Sequence, residues 1–163
     1  MHAIEKSEGD IVGYIDTDLE LSPIFIPEAV RSIREGADMA IGTRIYTVGA
    51  WNFTRAILTK GYIFLVRNIL SLDYKDTEAG FKFFKKKKIM PILKKVEDKR
   101  WFFDTEIVAR SHKAGLKIAE IPVLYLPRHD RKSSVNLVRD SVEYFMKLIS
   151  FRKSVWRSKN KKK

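Results

Sequence analysis

Gly9-Asp10-Ile11-Val12-Gly13-Tyr14-Ile15-Asp16-Thr17-Asp18-Leu19 is the stretch on which the fold turns. Ile11–Ile15 is short, β-branched and aromatic, and it runs straight into two carboxylates, so it reads as a buried strand with acids at its carboxyl end. Downstream, Pro23 and Pro27 precede a segment whose apolar residues Ala29, Val30 and Ile33 recur at helical spacing, with Gly36 placed to cap its end. Met39-Ala40-Ile41 predicts a second buried strand leading into Gly42-Thr43-Arg44, a long helix follows over about 53–72, and Phe81–Phe84 predicts another strand. Asp104 can cap a helix that runs to Gly115. Residues 117–126 are extended, with Pro122 marking an edge or a bend, and Val138, Val142, Phe145 and Ile149 mark the apolar face of a last amphipathic helix. Strands alternating with helices indicate an α/β sheet.

The 163 residues suit one domain with a real core. With 45% hydrophobic residues, 8 glycines and 5 prolines, the chain lies outside disordered and collagenous compositions. The absence of cysteine removes disulfides and thiolate chemistry and is compatible with a reducing compartment. The longest apolar run, Tyr62 to Leu72, is interrupted by Arg67 and Asn68 and falls short of the roughly 20 residues that span a bilayer. Met1 to Asp10 does not resemble a signal peptide.

The net charge of +12 is unevenly placed, because eight basic residues and no acid lie between Lys147 and Lys163. The body is therefore only mildly basic, and residues 151–163 form a polybasic tail beside a domain over 1–150. A solvated terminus, an anionic membrane surface and nucleic acid would each accept such a tail. Phe151 and Trp156 among the charges favour the membrane, and no recognisable nucleic-acid module accompanies them. A non-catalytic basic protein acting through this tail is the alternative to an enzyme.

Asp16 and Asp18 occupy alternate positions of an extended segment, which turns both carboxylates to one side. Two hard oxygen ligands suit Mg²⁺ or Mn²⁺, with a diphosphate and water completing the shell, although turn-forming or capping aspartates share the same pattern. Taken with Pro23, the run from Gly9 to Leu19 resembles the inverting family 2 glycosyltransferases of GT-A fold, and among them the polyprenyl-phosphate (dolichyl-phosphate) hexose synthases. Gly42-Thr43-Arg44 is similar to the family's Gly-[Ser/Thr]-Arg, and Arg55 to Thr59 resembles its Arg-x-x-x-Ser helix. Asp76-Thr-Glu-Ala-Gly-Phe-Lys82 is close to Asp-Thr-Gln-Cys-Gly-Phe-Lys, and Trp101–Glu106 and Glu120–Val123 resemble the next two blocks.

The resemblance implies a GT-A type mixed sheet flanked by helices. It also implies inverting transfer of a hexose from a nucleotide-sugar of the UDP-glucose or GDP-mannose type to a polyprenyl phosphate, at the cytoplasmic face of a membrane. Asp16, Asp18 and Asp76 are then the expected catalytic residues, with Asp16 and Asp18 on the metal. Asp16, Asp18, Gly80 and Glu106 belong to the donor sugar, with a structural contact open for Glu106. Arg44, Arg55, Thr59 and Arg128 belong to the acceptor phosphate. Asp104 is expected to cap its helix, His112 and His129 to be bystanders, and Lys85–Lys88 to form a solvated strand end.

Arg131 and Ser134 stand where the family's Arg-x-x-Gly-x-Ser-Lys loop has glycine and lysine, so only Arg128 carries over there. Complete family members begin with a Pro-x-Tyr-Asn-Glu stretch and further β/α units, about 70 to 90 residues at roughly 30 per unit. The resemblance therefore implies an N-terminally incomplete domain whose strand Ile11–Ile15 lacks sheet neighbours. Such a chain would be incompetent alone, and a truncated or split reading frame, a second chain supplying the absent segment, or a remnant that no longer catalyses would each account for it.

Overall fold

The computed structural model is described over residues 2–46, 53–126 and 137–160, and statements about side chains cover 3–46, 61–126 and 139–154. The chain runs through α1 (His2–Lys6), β1 (Ile11–Ile15), a 3₁₀ turn at Pro23–Phe25, α2 (Ile26–Arg34) and β2 (Met39–Tyr46). It continues through α3 (Phe53–Leu70), β3 (Phe81–Lys85), α4 (Lys86–Leu93), α5 (Phe103–Lys113), β4 (Ile118–Tyr125) and α6 (Leu137–Asn160). Gly36 adopts φ +124° just past α2, the left-handed conformation of a helix-ending glycine.

The four strands lie in the order β1-β3-β2-β4. β3 runs antiparallel to both neighbours, and β2 pairs in parallel with β4 from Met39↔Ile118 to Tyr46↔Tyr125. β1, β2 and β4 therefore point the same way, and their carboxyl ends share one edge of the sheet with the amino end of β3. Pro122 sits in the edge strand β4, where a missing N–H is tolerated. β1 is not without neighbours: it pairs with β3 from Ile11↔Lys85 to Ile15↔Phe81, and among the described residues no strand lies on its other side. It is also less covered than its composition predicts, since only Val12 of its five residues is buried.

The two-residue period of β3 sorts its side chains between layers. Phe81 and Phe83 pack with Ala29 and Ile33 of α2, while Phe84 faces Ile89 and Ile92 of α4 and Ile107 and Val108 of α5. A fully buried phenylalanine contributes about 1.5 to 3 kcal/mol, so β3 is the spine of both cores. The same alternation places Lys82 beside Phe84 on the α5 face, completely buried. The solvated strand end expected over Lys85–Lys88 holds in part: Lys85 closes β3 and Lys87 and Lys88 are exposed, but Lys86 already opens α4 and its ammonium donates to the Glu5 and Ser7 carbonyls at the end of α1.

A third cluster joins α3, α5 and α6, and here the expected helix face is wrong. Val142 and Phe145 are 56% and 43% exposed, whereas Tyr144, Leu148 and Phe151 are buried against Val66, Leu72, Phe102 and Ala109. α6 continues unbroken through Ser150 and Phe151. The Phe151 ring stacks edge-on with Phe102 at 5.5 Å and lies under the Arg110 guanidinium, so it is not available to a membrane. The side chain of Trp156 lies outside the described residues.

Candidate active site

Ligands of open α/β sheets bind beyond the carboxyl ends of the strands, and three segments converge there. The first is the turn after β1. Asp16 N–H donates to the Gly80 carbonyl at 2.8 Å, Leu19 N–H closes the turn on the Asp16 carbonyl at 3.1 Å, and Leu19 takes φ +56°. A left-handed leucine is a strained choice of the kind that gathers at functional sites. Asp18 Oδ1 accepts the Glu20 N–H at 3.0 Å. Beyond this turn the chain crosses to the far edge of the sheet, where Leu21 bridges Tyr125 of β4.

The second segment is the loop before β3. A Cβ placed on Gly80 would lie 2.0 to 2.2 Å from the atoms of the Asp16 carboxylate. Gly80, expected beside the donor sugar, is thus closely approached by a catalytic candidate of this chain. Partial burial raises the pKa of the Asp16 carboxyl, and the charges of Asp104 and Asp18 raise it further, against the pull of Lys82 and Arg44. Asp16 therefore lies in a local excess of negative charge, which a divalent cation would relieve. Asp16 and Asp18 bring two hard carboxylate donors to this turn, the ligand chemistry that Mg²⁺ or Mn²⁺ would accept. Among the described residues no group of three or more metal-ligating side chains is assembled.

The third segment is the end of β2. Arg44 grips Asp76 with two parallel bonds, Nε to Oδ2 at 2.5 Å and Nη2 to Oδ1 at 2.9 Å. Burial works against the Arg44 charge, but Asp76 outweighs it and holds the guanidinium more firmly protonated than usual. Asp76 also accepts the Glu78 and Ala79 N–H groups at 3.2 and 3.1 Å, so it shapes its own loop as well as binding Arg44. Glu78 approaches the same guanidinium, with Oε2 3.7 Å from Nη2.

Beneath this edge lies a buried charge pair that the sequence did not reveal. Lys82 Nζ donates to Asp104 Oδ1 at 2.7 Å and to the Ala79 carbonyl, and Tyr14 Oη donates to the same Asp104 oxygen at 2.7 Å. Burial, then the Asp104 charge, drives the Tyr14 phenol well above its usual range. Asp104 is not the helix cap: the cap position is Phe102, with no side-chain bond, and Asp104 sits in the first turn of α5.

Glu106 is 2% exposed and makes the structural contact. It accepts the backbone N–H groups of Glu97 and Asp98 and the guanidinium of Arg110. His112 Nδ1 meets Tyr74 Oη at 2.9 Å, away from the acids. Arg55 and Thr59 lie on α3, but their side chains are outside the described set, and Arg128 and His129 are outside the described residues altogether. The signal that could have exposed Lys82 is a lone cation at an alternate position within an aromatic strand.

Acids, a glycine and an arginine thus converge at the edge of the mixed sheet where the carboxyl ends of β1 and β2 lie. The sequence profile of glycosyl transferase family 2 matches residues 1–93, and the chain belongs to that family. It is 38% identical over 141 residues to glycosyltransferase AglD of Haloferax volcanii, an alignment covering 85% of this chain and 22% of that protein. It is 34% identical over 86 residues to a dolichol-phosphate mannosyltransferase of Pyrococcus furiosus, covering 50% of this chain and 24% of the relative. A dolichyl-phosphate beta-glucosyltransferase, ALG5C of Trichomonas vaginalis, is 24% identical over 165 residues, covering 95% of this chain and 49% of the relative. The chain thus spans less than half the length of each of these relatives.

Proposed function

We propose that this chain carries the metal and phosphate side of a hexosyltransferase site, moving a hexose from a nucleotide-sugar to a polyprenyl phosphate with inversion. The observation that carries this reading is the contact between Asp16 and Gly80, a carboxylate admitted to the site edge only because residue 80 has no side chain. Asp16 and Asp18 would hold Mg²⁺ or Mn²⁺ on the donor diphosphate; when bound, the ion neutralises the charge of the departing nucleotide. Asp76 keeps Arg44 in a fixed orientation at the same edge.

The chemistry asks little proton transfer of the protein. A phosphate monoester has its second pKa near about 6, so at neutral pH its oxygen attacks the anomeric carbon already ionised. The bond from that carbon to the diphosphate breaks, and its electron pair leaves with the nucleotide. Positive character on the sugar ring peaks between the two events. Arg44, Arg55, Thr59 and Arg128 form the proposed acceptor cradle, since cations that hold a phosphate in line matter more here than a base.

The acceptor is a lipid, and α6 supports a membrane partner. Val142, Phe145 and Met146 lie exposed at helical spacing, with Arg139, Arg152 and Lys153 also exposed. Phe64 of α3 adds a further exposed ring, 65% accessible. Apolar side chains flanked by cations are the composition of a helix lying in an anionic interface. No helix among the described residues is long and apolar enough to cross a membrane. The proposed location is peripheral, on the cytoplasmic face.

Calorimetry with Mn²⁺ and UDP or GDP tests the metal site. Nucleotide binding is expected to require the metal and to fall at least tenfold in Asp18→Asn. Metal-independent binding, unchanged by that substitution, overturns the assignment and leaves the basic-surface alternative.

A further inference from the structure

Arg44 is balanced by Asp76 alone, yet a second carboxylate stands beside it. The bidentate Arg44–Asp76 pair is already neutral. Glu78 Oε2 lies 3.7 Å from Arg44 Nη2, inside ion-pair range but beyond a hydrogen bond. Its backbone cannot drift away, because Glu78 N–H is fixed on Asp76 Oδ1 at 3.2 Å. About a third of the side chain remains exposed, at 34%, so the carboxyl is largely buried but still reaches the open edge.

The groups around Glu78 leave it in surplus negative charge. Arg44 of β2 and Lys82 of β3 favour its ionised form, while Asp76 of the loop and Asp104 of α5 oppose it. Tyr62 of α3 and Tyr144 of α6 also feel its charge and face it as neutral phenols. Burial is the largest influence, and with the two acids it pushes the Glu78 carboxyl up to about 7.

A phosphate arriving at Arg44 meets this group first as a competitor. Ionised, Glu78 repels the dianion and shares the guanidinium with it. Protonated, the same carboxyl offers an O–H to a phosphate oxygen. We propose that Glu78 is a specificity-determining residue of the acceptor site, through which a phosphate monoester reaches Arg44 only as Glu78 takes up a proton from solvent and changes from rival carboxylate to hydrogen-bond donor. No covalent bond changes in this step; one proton moves from water to Glu78, and the phosphate remains a dianion. The inference rests on the proposal that Arg44 receives the acceptor phosphate.

The test is calorimetric titration of the protein with a short, water-soluble prenyl monophosphate at pH 6.5, 7.5, 8.5 and 9, in buffers of different ionisation enthalpy. Above pH 7.5 the ligand is fully ionised, so any proton taken up on binding belongs to the protein. The wild type is expected to absorb close to one proton per phosphate at pH 8.5, with Kd weakening about tenfold per pH unit. In Glu78→Gln, a permanent donor of the same shape, proton uptake disappears and Kd stays flat. Equal proton uptake and equal slopes in the two proteins overturn the role of Glu78 and leave the acceptor site standing. Absence of binding to the wild type at pH 6.5, or affinity unaltered in Arg44→Gln, removes the acceptor reading and this inference with it. A parallel titration with UDP is expected to show no Glu78-dependent proton; uptake there and not with the monoester refutes the assignment to the acceptor.

Discussion

Substituting Gly80 by alanine separates a site residue from a folding residue. Gly80 does not adopt a left-handed conformation, in contrast to Gly36 and Gly115, so its backbone accepts a side chain without strain. The obstacle is the Asp16 carboxylate, whose Oδ2, Cγ and Oδ1 lie 2.0, 2.1 and 2.2 Å from the added methyl. To reach a tolerable separation of about 3 Å, the carboxylate must retreat by about 1 Å, a displacement that can cost on the order of 100-fold in rate. The Asp16 backbone cannot absorb the shift, being tied to Gly80 by its own N–H at 2.8 Å and flanked by the Ile15↔Phe81 pair. The carboxylate must instead swing about its side-chain torsions, away from Asp18 and any shared ion. Gly80→Ala is therefore expected to weaken Mn²⁺-dependent nucleotide binding by at least about tenfold in calorimetry, the loss of one charge-assisted ligand contact, with a stability loss of at most about 1 to 3 kcal/mol from overpacking. Asp16→Asn combined with Gly80→Ala should bind no worse than Asp16→Asn alone, since both act through one carboxylate. Wild-type metal and nucleotide affinity in Gly80→Ala would refute the reasoning, as would fully additive losses in the pair.

Lys82→Met removes a completely buried ammonium and leaves Asp104, 21% exposed, with Tyr14 as its remaining donor; urea unfolding is expected to show a loss of about 3 kcal/mol, and a loss under about 1 kcal/mol would mean that the pair holds little of the fold. Val142→Ser with Met146→Ser, at positions 56% and 66% exposed, is expected to reduce sedimentation with phosphatidylserine vesicles several-fold while leaving thermal stability unchanged; undiminished sedimentation in the double variant would remove α6 from the membrane contact.

What was legible in the sequence was mostly local. The run Ile11–Ile15 declared a strand through its β-branched and aromatic residues, and the acids after it marked the functional edge because a strand end there can only be a turn. The aromatic β3 and the long α3 were visible for similar reasons. The face of α6 was not, because that helix has two apolar faces. Val142 and Phe145 repeat at helical spacing, but so do Tyr144, Leu148 and Phe151, and periodicity identifies a helix without saying which side meets a neighbour. Burial went to the side whose aromatic rings meet Phe102 and whose phenol finds hydroxyl partners on α3 and α5. Lys82 was hidden because a lysine preceding a lysine run looks solvated, and only the pairing of β3 between β1 and β2 shows that its side chain turns inward. Glu78 was hidden because its meaning depends on Arg44, which reaches it through the sheet rather than along the chain.

The segment from Asp76 to Gly80 is where these distant elements meet, and a hydroxyl cluster shows how firmly. Tyr62 Oη lies 2.6 Å from Thr77 Oγ1, 2.5 Å from Thr105 Oγ1 and 2.7 Å from Tyr144 Oη. Thr105 Oγ1 also lies 3.0 Å from Thr77 Oγ1 and 2.7 Å from Tyr144 Oη. Four hydroxyls carry four protons, one fewer than the contacts they make, so every proton can be used within the cluster. Burial drives both tyrosines well above their usual range, which keeps those protons in place. Thr77 thereby fastens the loop to α3 and α5, and through their hydroxyls to Tyr144 of α6, while its neighbour Asp76 fastens it to β2 through Arg44, and Lys82 holds the Ala79 carbonyl from below. A loop of five residues tied on three sides loses its conformational freedom on folding rather than on ligand binding. The carboxylate of Asp16 rests against the last of those residues, so the helices that carry the proposed membrane face and acceptor cradle are in register with the acids at the sheet edge.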